Sequence, residues 1–104
     1  MKSESYNIIR AAMLARRQVI CSYNGYHREI CVHTIGMSGG KEIILGYQFA
    51  GENNNPPQSD EQRWRCMEVA KLEGITVRDG PWRTSTNHSK AQTCVKDVDL
   101  EVTS

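Results

Sequence analysis

Arg65 and Lys71 are the residues whose chemistry an ordinary small domain does not call for. Arg63, Trp64 and Arg65 interleave two cations with an aromatic ring, as a surface that grips phosphate and stacks a base requires. A guanidinium can hold a phosphate through two parallel N–H bonds. Tyr23, Tyr26 and Tyr47 can each stack a base, although a strand tyrosine more often packs in a core with its hydroxyl at the rim. The plainer reading of Arg65 and Lys71 is a pair of surface cations whose alkyl stems lie over apolar neighbours.

Other chemistries lack a part. Cys31 and His33 are two residues apart and share a strand face, and Cys21 on an adjoining strand would make a third ligand. The spacing supplies no fourth, so no metal and no other cofactor is expected. A Cys–His pair can act as nucleophile and base, but no orienting third residue and no oxyanion-hole motif accompanies it, so no catalytic residue is assigned and no enzyme is expected. Gly36 to Gly40 lacks the Lys-Ser/Thr ending of a phosphate loop and lies between strands. His88 falls in a polar stretch and reads as solvated.

The chain has 104 residues, one domain's worth, spanning 1–104. Its net charge of +1 gives no bulk electrostatic case for nucleic acid or a membrane surface, so any such case must be local. The four cysteines, Cys21, Cys31, Cys66 and Cys94, show no C-x-x-C spacing. No signal-peptide pattern and no membrane-length apolar run is present. The expectation is a cytoplasmic protein with reduced, mostly buried thiols and no membrane partner.

These residues need elements to position them. Ile8, Ile9, Ala12, Met13 and Ala15 recur at helical spacing, which predicts a helix over 5–17. Ser3 or Ser5 would cap it, and Arg16 and Arg17 would close it. Strands follow at Gln18–Tyr23, at Tyr26–Met37 after the Asn24-Gly25 turn, and at Lys41–Ala50 after Ser38-Gly39-Gly40. Gly46 inside the third strand predicts a bulge or bend. The polar loop from Gly51 to Gln62, with Pro56-Pro57, is expected to be disordered at its centre. A fourth strand over Arg63–Val69, a helical turn over Ala70–Glu73 ended by Gly74, and a fifth strand from Ile75 come next. Trp82 is expected to fold back as a plug after the Asp79-Gly80-Pro81 turn, and Cys94–Val102 to form a final edge strand beyond the polar segment Thr84–Gln92. The fold class is mainly β with α: one helix, then a small, partly open β-barrel of about five strands over 18–82, then a C-terminal loop and edge strand over 83–104.

The order of these pieces resembles a WYL domain, a small SH3-like barrel often attached to bacterial helix-turn-helix regulators. The resemblance covers Val19 to about Trp82. It rests on Tyr23-Asn24-Gly25 followed by Arg28, on Ile44-Leu45-Gly46-Tyr47-Gln48, and above all on Arg65-Cys66-Met67-Glu68-Val69-Ala70-Lys71-Leu72. In that last run Arg65 and Lys71 match the family's two arginines and Leu72 its isoleucine. The chain departs at Val32, where a Pro is common, at Met67, which replaces an aromatic, and at Ala70, which replaces an Asp. The literal Trp-Tyr-Leu triplet is absent.

The resemblance implies a non-catalytic sensor or effector-binding module for transcription regulation, with nucleic acid or a nucleotide-like ligand as partner. The implied binding face holds Tyr23, Arg28, Tyr47, Arg65 and Lys71, and His33 and Arg63 complete the candidate set. No helix-turn-helix precedes the strands, so regulation would run through a partner protein or by competition. The alternative is a protein-interaction subunit, such as a homodimer, that pairs through the exposed edge of its last strand.

Overall fold

The computed structural model describes residues 2–51, 63–83 and 94–102. Helix α1 spans Glu4–Leu14, with Ser3 as its cap: the Ser3 Oγ accepts the Tyr6 backbone N–H at 3.1 Å. Tyr6, Ile9, Ala12 and Met13 are its buried residues, one stripe at helical spacing. The helix stops three residues before Arg17 because Arg16 takes a left-handed backbone, φ +54°. The Arg16 guanidinium still donates to the Met13 carbonyl at 2.8 Å, so the cation sits at the negative helix end from outside the helix.

Six antiparallel strands follow: β1 Gln18–Tyr23, β2 Tyr26–Ser38, β3 Lys41–Gly51, β4 Trp64–Glu68, β5 Leu72–Arg78 and β6 Asp97–Glu101. Asn24-Gly25 and Gly39-Gly40 have positive φ and close the first two hairpins, as their residue types demand. The main path runs β4-β3-β2-β1-β5. Its two end strands are consecutive in sequence and are joined by the three-residue 3-10 helix Val69–Lys71. The sheet must therefore curl until its ends share a corner, although β4 and β5 do not pair. The result is the expected mainly-β fold with one N-terminal helix, an antiparallel sheet curled like a barrel and not closed.

β2 is long enough to use one edge twice. Its residues 26–30 pair with β1, and Thr34–Met37 pair with β6. Gly36 makes the second pairing possible: a Cβ there would run into the Asp97 carbonyl and lie 2.8 Å from Val95 Cγ1. The predicted bend occurs across from Gly46 rather than at it. Val32 pairs with Gly46 and Thr34 with Leu45, which leaves His33 as the extra residue of a bulge.

Gly74 also has a different role from the expected one. The helical turn is over by Lys71, and Gly74, at φ +60°, lies within β5 where the β1–β5 register shifts. The fifth strand thus begins at Leu72, and β6 is shorter than the expected 94–102. Residues 52–62, 84–93 and 103–104, including the Asn- and Pro-rich loop and His88, lie outside the described residues.

The core gathers Val19, Cys21, Ile30, Val32, Ile35, Ile44, Met67, Val69 and Leu72 beneath the buried stripe of α1. Trp82 packs against it, as a plug would. The cysteines depart from the all-reduced expectation. Cys66 and Cys94 form a disulfide across a sequence separation of 28, with Cα atoms 6.2 Å apart. No local spacing advertises such a bond. Cys21 and Cys31 are buried free thiols, and burial pushes the Cys21 thiol up to about 11 although Arg28 pulls the other way.

A polar tether joins α1 to β6. The Asp99 carboxylate accepts the Tyr6 hydroxyl at 2.6 Å and the Arg10 Nε–H at 2.9 Å. These bonds, Tyr6 first and then Arg10, hold Asp99 below the usual carboxylate range. A carboxyl depressed by folding stabilises above its unfolded pKa and loses that contribution as pH falls through the folded one. The melting temperature is therefore expected to fall as the pH drops below about 4, and more steeply than in Asp99→Asn, which lacks the titrating group. Identical slopes in the two proteins would contradict the tether.

Candidate functional site

The strand registers decide which candidate residues meet. Cys21 lies opposite Arg28 and Tyr23 opposite Tyr26 on the β1–β2 hairpin. Ile30 lies opposite Gln48, and Gly46 lies opposite Arg65. Directly paired residues project from the same face, and alternate residues return to it. The inner face therefore begins apolar, at Val19, Ile30, Ile44 and Met67 under α1. It continues beyond Cys21 and Gly46 into Tyr23, Tyr26, Arg28, Gln48 and Arg65.

Arg28 is the floor of this polar end, with only 7% of its surface exposed. Its guanidinium carbon lies 5.8 Å from the Tyr23 ring centroid and 5.6 Å from that of Tyr26. One Nη donates to Gln48 Oε1 at 2.9 Å, and the other reaches the Tyr23 carbonyl at 3.5 Å. The Nε is buried and has no hydrogen-bond partner among the described residues. The Tyr23 hydroxyl in turn accepts the Glu68 backbone N–H at 3.4 Å, which fixes the ring against β4.

Arg65 stands half-buried beside it, and its Nε is likewise buried without a partner. Burial first, then the nearby Arg28 and Arg63 guanidinium groups, push the Arg65 pKa below its ordinary value. Arg63 is tied into the same corner by a 3.5 Å bond to the Gln48 carbonyl. Three like charges thus converge, and among the described residues no carboxylate pairs with Arg28 or Arg65. The acidic groups on the flanking strands are engaged elsewhere: Glu68 with Lys41 at 3.5 Å, and Glu29 with Arg78 at 2.7 Å and His27 at 3.1 Å. An unpaired buried charge costs several kcal/mol, on the order of what an anion bound between the two Nε–H groups would return.

The remaining candidates lie elsewhere. Tyr47 pairs with Cys31 and Trp64 and so projects from the opposite face. His33, fully buried, lies 4.8 Å from the Trp64 ring and 4.8 Å from the Trp82 ring, with Nδ1 2.8 Å from the Cys31 carbonyl. It packs between the two tryptophan rings. Cys31 accepts the Arg83 backbone N–H on its sulfur at 3.3 Å. Cys21 points to the inner face and Cys31 to the outer, so the imagined three-ligand set is not brought together. Lys71 is exposed on the 3-10 helix and takes no part in the arginine cluster's hydrogen bonds and ring contacts.

Two contributors escaped the sequence reading: Gln48, which orients Arg28, and Gly46, the strand partner of Arg65. A Cβ at Gly46 would lie 3.3 Å from Ile30 Cδ1. Alternation along β3 places both on one face with Ile44, but only the register across β2 and β4 shows that this is the face of Arg28 and Arg65. The tyrosines also change part: Tyr23 and Tyr26 enclose a guanidinium instead of offering free stacking faces.

No family model, no curated protein and no solved structure matches this chain.

Proposed function

We propose that the chain is a non-catalytic, ligand-sensing regulatory module of the WYL kind. Its ligand is nucleic acid or a nucleotide-like molecule, bound through phosphate at the Arg28–Arg65 end of the barrel. One observation carries the reading: a guanidinium more than nine-tenths buried with its Nε–H unused, and beside it a second arginine whose Nε–H is also buried and, among the described residues, without a partner. Folding rarely retains such an arrangement unless an anion completes it. Two of the residues the family resemblance implies, Arg28 and Arg65, supply these groups, and Tyr23 frames them.

The test is fluorescence anisotropy with a labelled single-stranded oligonucleotide. Affinity is expected to weaken steeply with salt. Arg28→Met and Arg65→Met should each cost about tenfold or more, the worth of a charge-assisted hydrogen bond. Lys71→Ala should change affinity no more than other surface cations do. Binding that survives both arginine substitutions would overturn the assignment.

A second reading has one supporting observation. Among the described residues β6 pairs with β2 alone, so its other edge is available to a strand from another chain, and Val98 is exposed there. Concentration-dependent association abolished by a proline at Val98 would favour that reading. As to location, the Cys66–Cys94 disulfide speaks for an oxidising compartment, or for a redox role in the cytoplasm expected from composition. No helix among the described residues is long and apolar enough to cross a membrane.

A further inference from the structure

We propose that the Arg28–Arg65 site reads a terminal phosphate, the monoester dianion of a nucleotide or of a strand end, and not the internal diester of a nucleic-acid backbone. This deepens the phosphate-binding reading above and rests on it.

Three observations separate an end from a middle. The first is depth. Arg28 is 7% exposed and Arg65 half-buried, and the unused Nε–H groups of both are buried. A phosphate that takes both Nε–H groups must therefore be drawn below the surface. A terminal phosphate has one substituent, which trails outward. An internal diester carries two, and both would have to be drawn in behind it.

The second is charge. Arg28, Arg65 and Arg63 converge, and no carboxylate among the described residues pairs with Arg28 or Arg65. A monoester carries close to two negative charges at neutral pH, whereas a diester carries one. The monoester also offers three strong acceptor oxygens, enough to take both Nε–H groups and leave one for solvent or Arg63.

The third is the absence of a base platform on this face. The Tyr23 and Tyr26 rings are taken up by the Arg28 guanidinium, and Tyr47 and Trp64 belong to the opposite face. A site that grips phosphate and lacks a stacking surface discriminates by the phosphate and is nearly indifferent to the base.

The experiment compares one single-stranded oligonucleotide carrying a terminal 5′-phosphate with the same strand ending in a hydroxyl, on the full chain, by competition anisotropy. The phosphorylated strand is expected to bind at least about tenfold more tightly, the value of one charge-assisted bond or more. That preference should shrink as pH falls below about 6, where the monoester dianion takes up a proton and becomes a monoanion. The four nucleoside monophosphates should compete alike and the nucleosides not at all. A monophosphate equal to the strand identifies a free nucleotide as the ligand's source; one more than about tenfold weaker identifies the strand end. Arg28→Gln should erase the preference, and Arg65→Gln, at the more exposed rim, provides the same test should the buried substitution unfold the chain. Equal affinity for both strands, still dependent on Arg65, would overturn the terminal-phosphate reading and leave the phosphate-binding function standing. No binding of either strand or of any monophosphate would overturn both.

Discussion

Reducing the Cys66–Cys94 disulfide is expected to lower the stability of the fold by about 3.5 kcal/mol, the loop-closure value for a separation of 28 residues. For a chain of this length that corresponds to a melting temperature roughly 15–25 °C lower. The bond fastens the segment leading into β6 to β4. The weight of the effect follows from what else holds that segment. Among the described residues β6 has one strand partner, β2, and its tether to α1 is a single carboxylate, Asp99. Cys66→Ser and Cys94→Ser should each reproduce the loss, and reductant should add nothing to either variant. Thermal unfolding with and without reductant reads it directly. A wild-type transition indifferent to reductant would contradict the clamp.

Gly36→Val is expected to cost a further large fraction of the stability by separating β6 from β2. Any Cβ at this position collides with the Asp97 carbonyl, a backbone group that cannot turn aside as a long side chain would, and crowds the Val95 side chain. Overpacking of this kind costs about 1–3 kcal/mol where neighbours can shift. Departure of β6 relieves the collision and also exposes Val95, Leu100 and Val102. The backbone N–H of Val102, bonded to the His33 carbonyl at 2.8 Å, reports the change. Its amide should be protected from hydrogen exchange in the wild type and unprotected in Gly36→Val. Equal protection in both would show that the strand accommodates the side chain.

Much of this architecture is legible in the chain because it rests on local chemistry. Asn24-Gly25 and Gly39-Gly40 can close tight hairpins whatever surrounds them, and Ile9, Ala12 and Met13 mark a helix face at its own period, although Tyr6 completes that face and the expected Ile8 and Ala15 are exposed. Arg28 and Arg65 were identifiable as candidates. Their meeting was not, because it depends on the bulge at His33 and on the pairing of Gly46 with Arg65, and register is a property of two strands together. Lys71 illustrates the reverse. It sits six positions after Arg65 in an attractive motif, but the chain turns through the 3-10 helix between them and leaves Lys71 exposed. The disulfide was invisible for a related reason: its cysteines are distant in sequence and the pattern around each is ordinary.

The same register explains why Arg28 is costly and why it is retained in one conformation. Two tyrosine rings, the Gln48 amide and the Tyr23 carbonyl hold the guanidinium, yet leave its Nε–H without an acceptor. These contacts set the orientation before any ligand arrives, which lowers the ordering cost of binding.

Whether an anion completes the Arg28–Arg65 pair is measured most directly at those two groups. Uniformly isotope-labelled protein is titrated with inorganic phosphate while the arginine Nε–H resonances are followed by NMR. The Nε–H signals of Arg28 and Arg65 are predicted to move together to a common saturation point, while those of Arg10 and Arg17, already bonded to Asp99 and Asp79, stay in place. Movement of all arginines in parallel, or of none, would contradict the account.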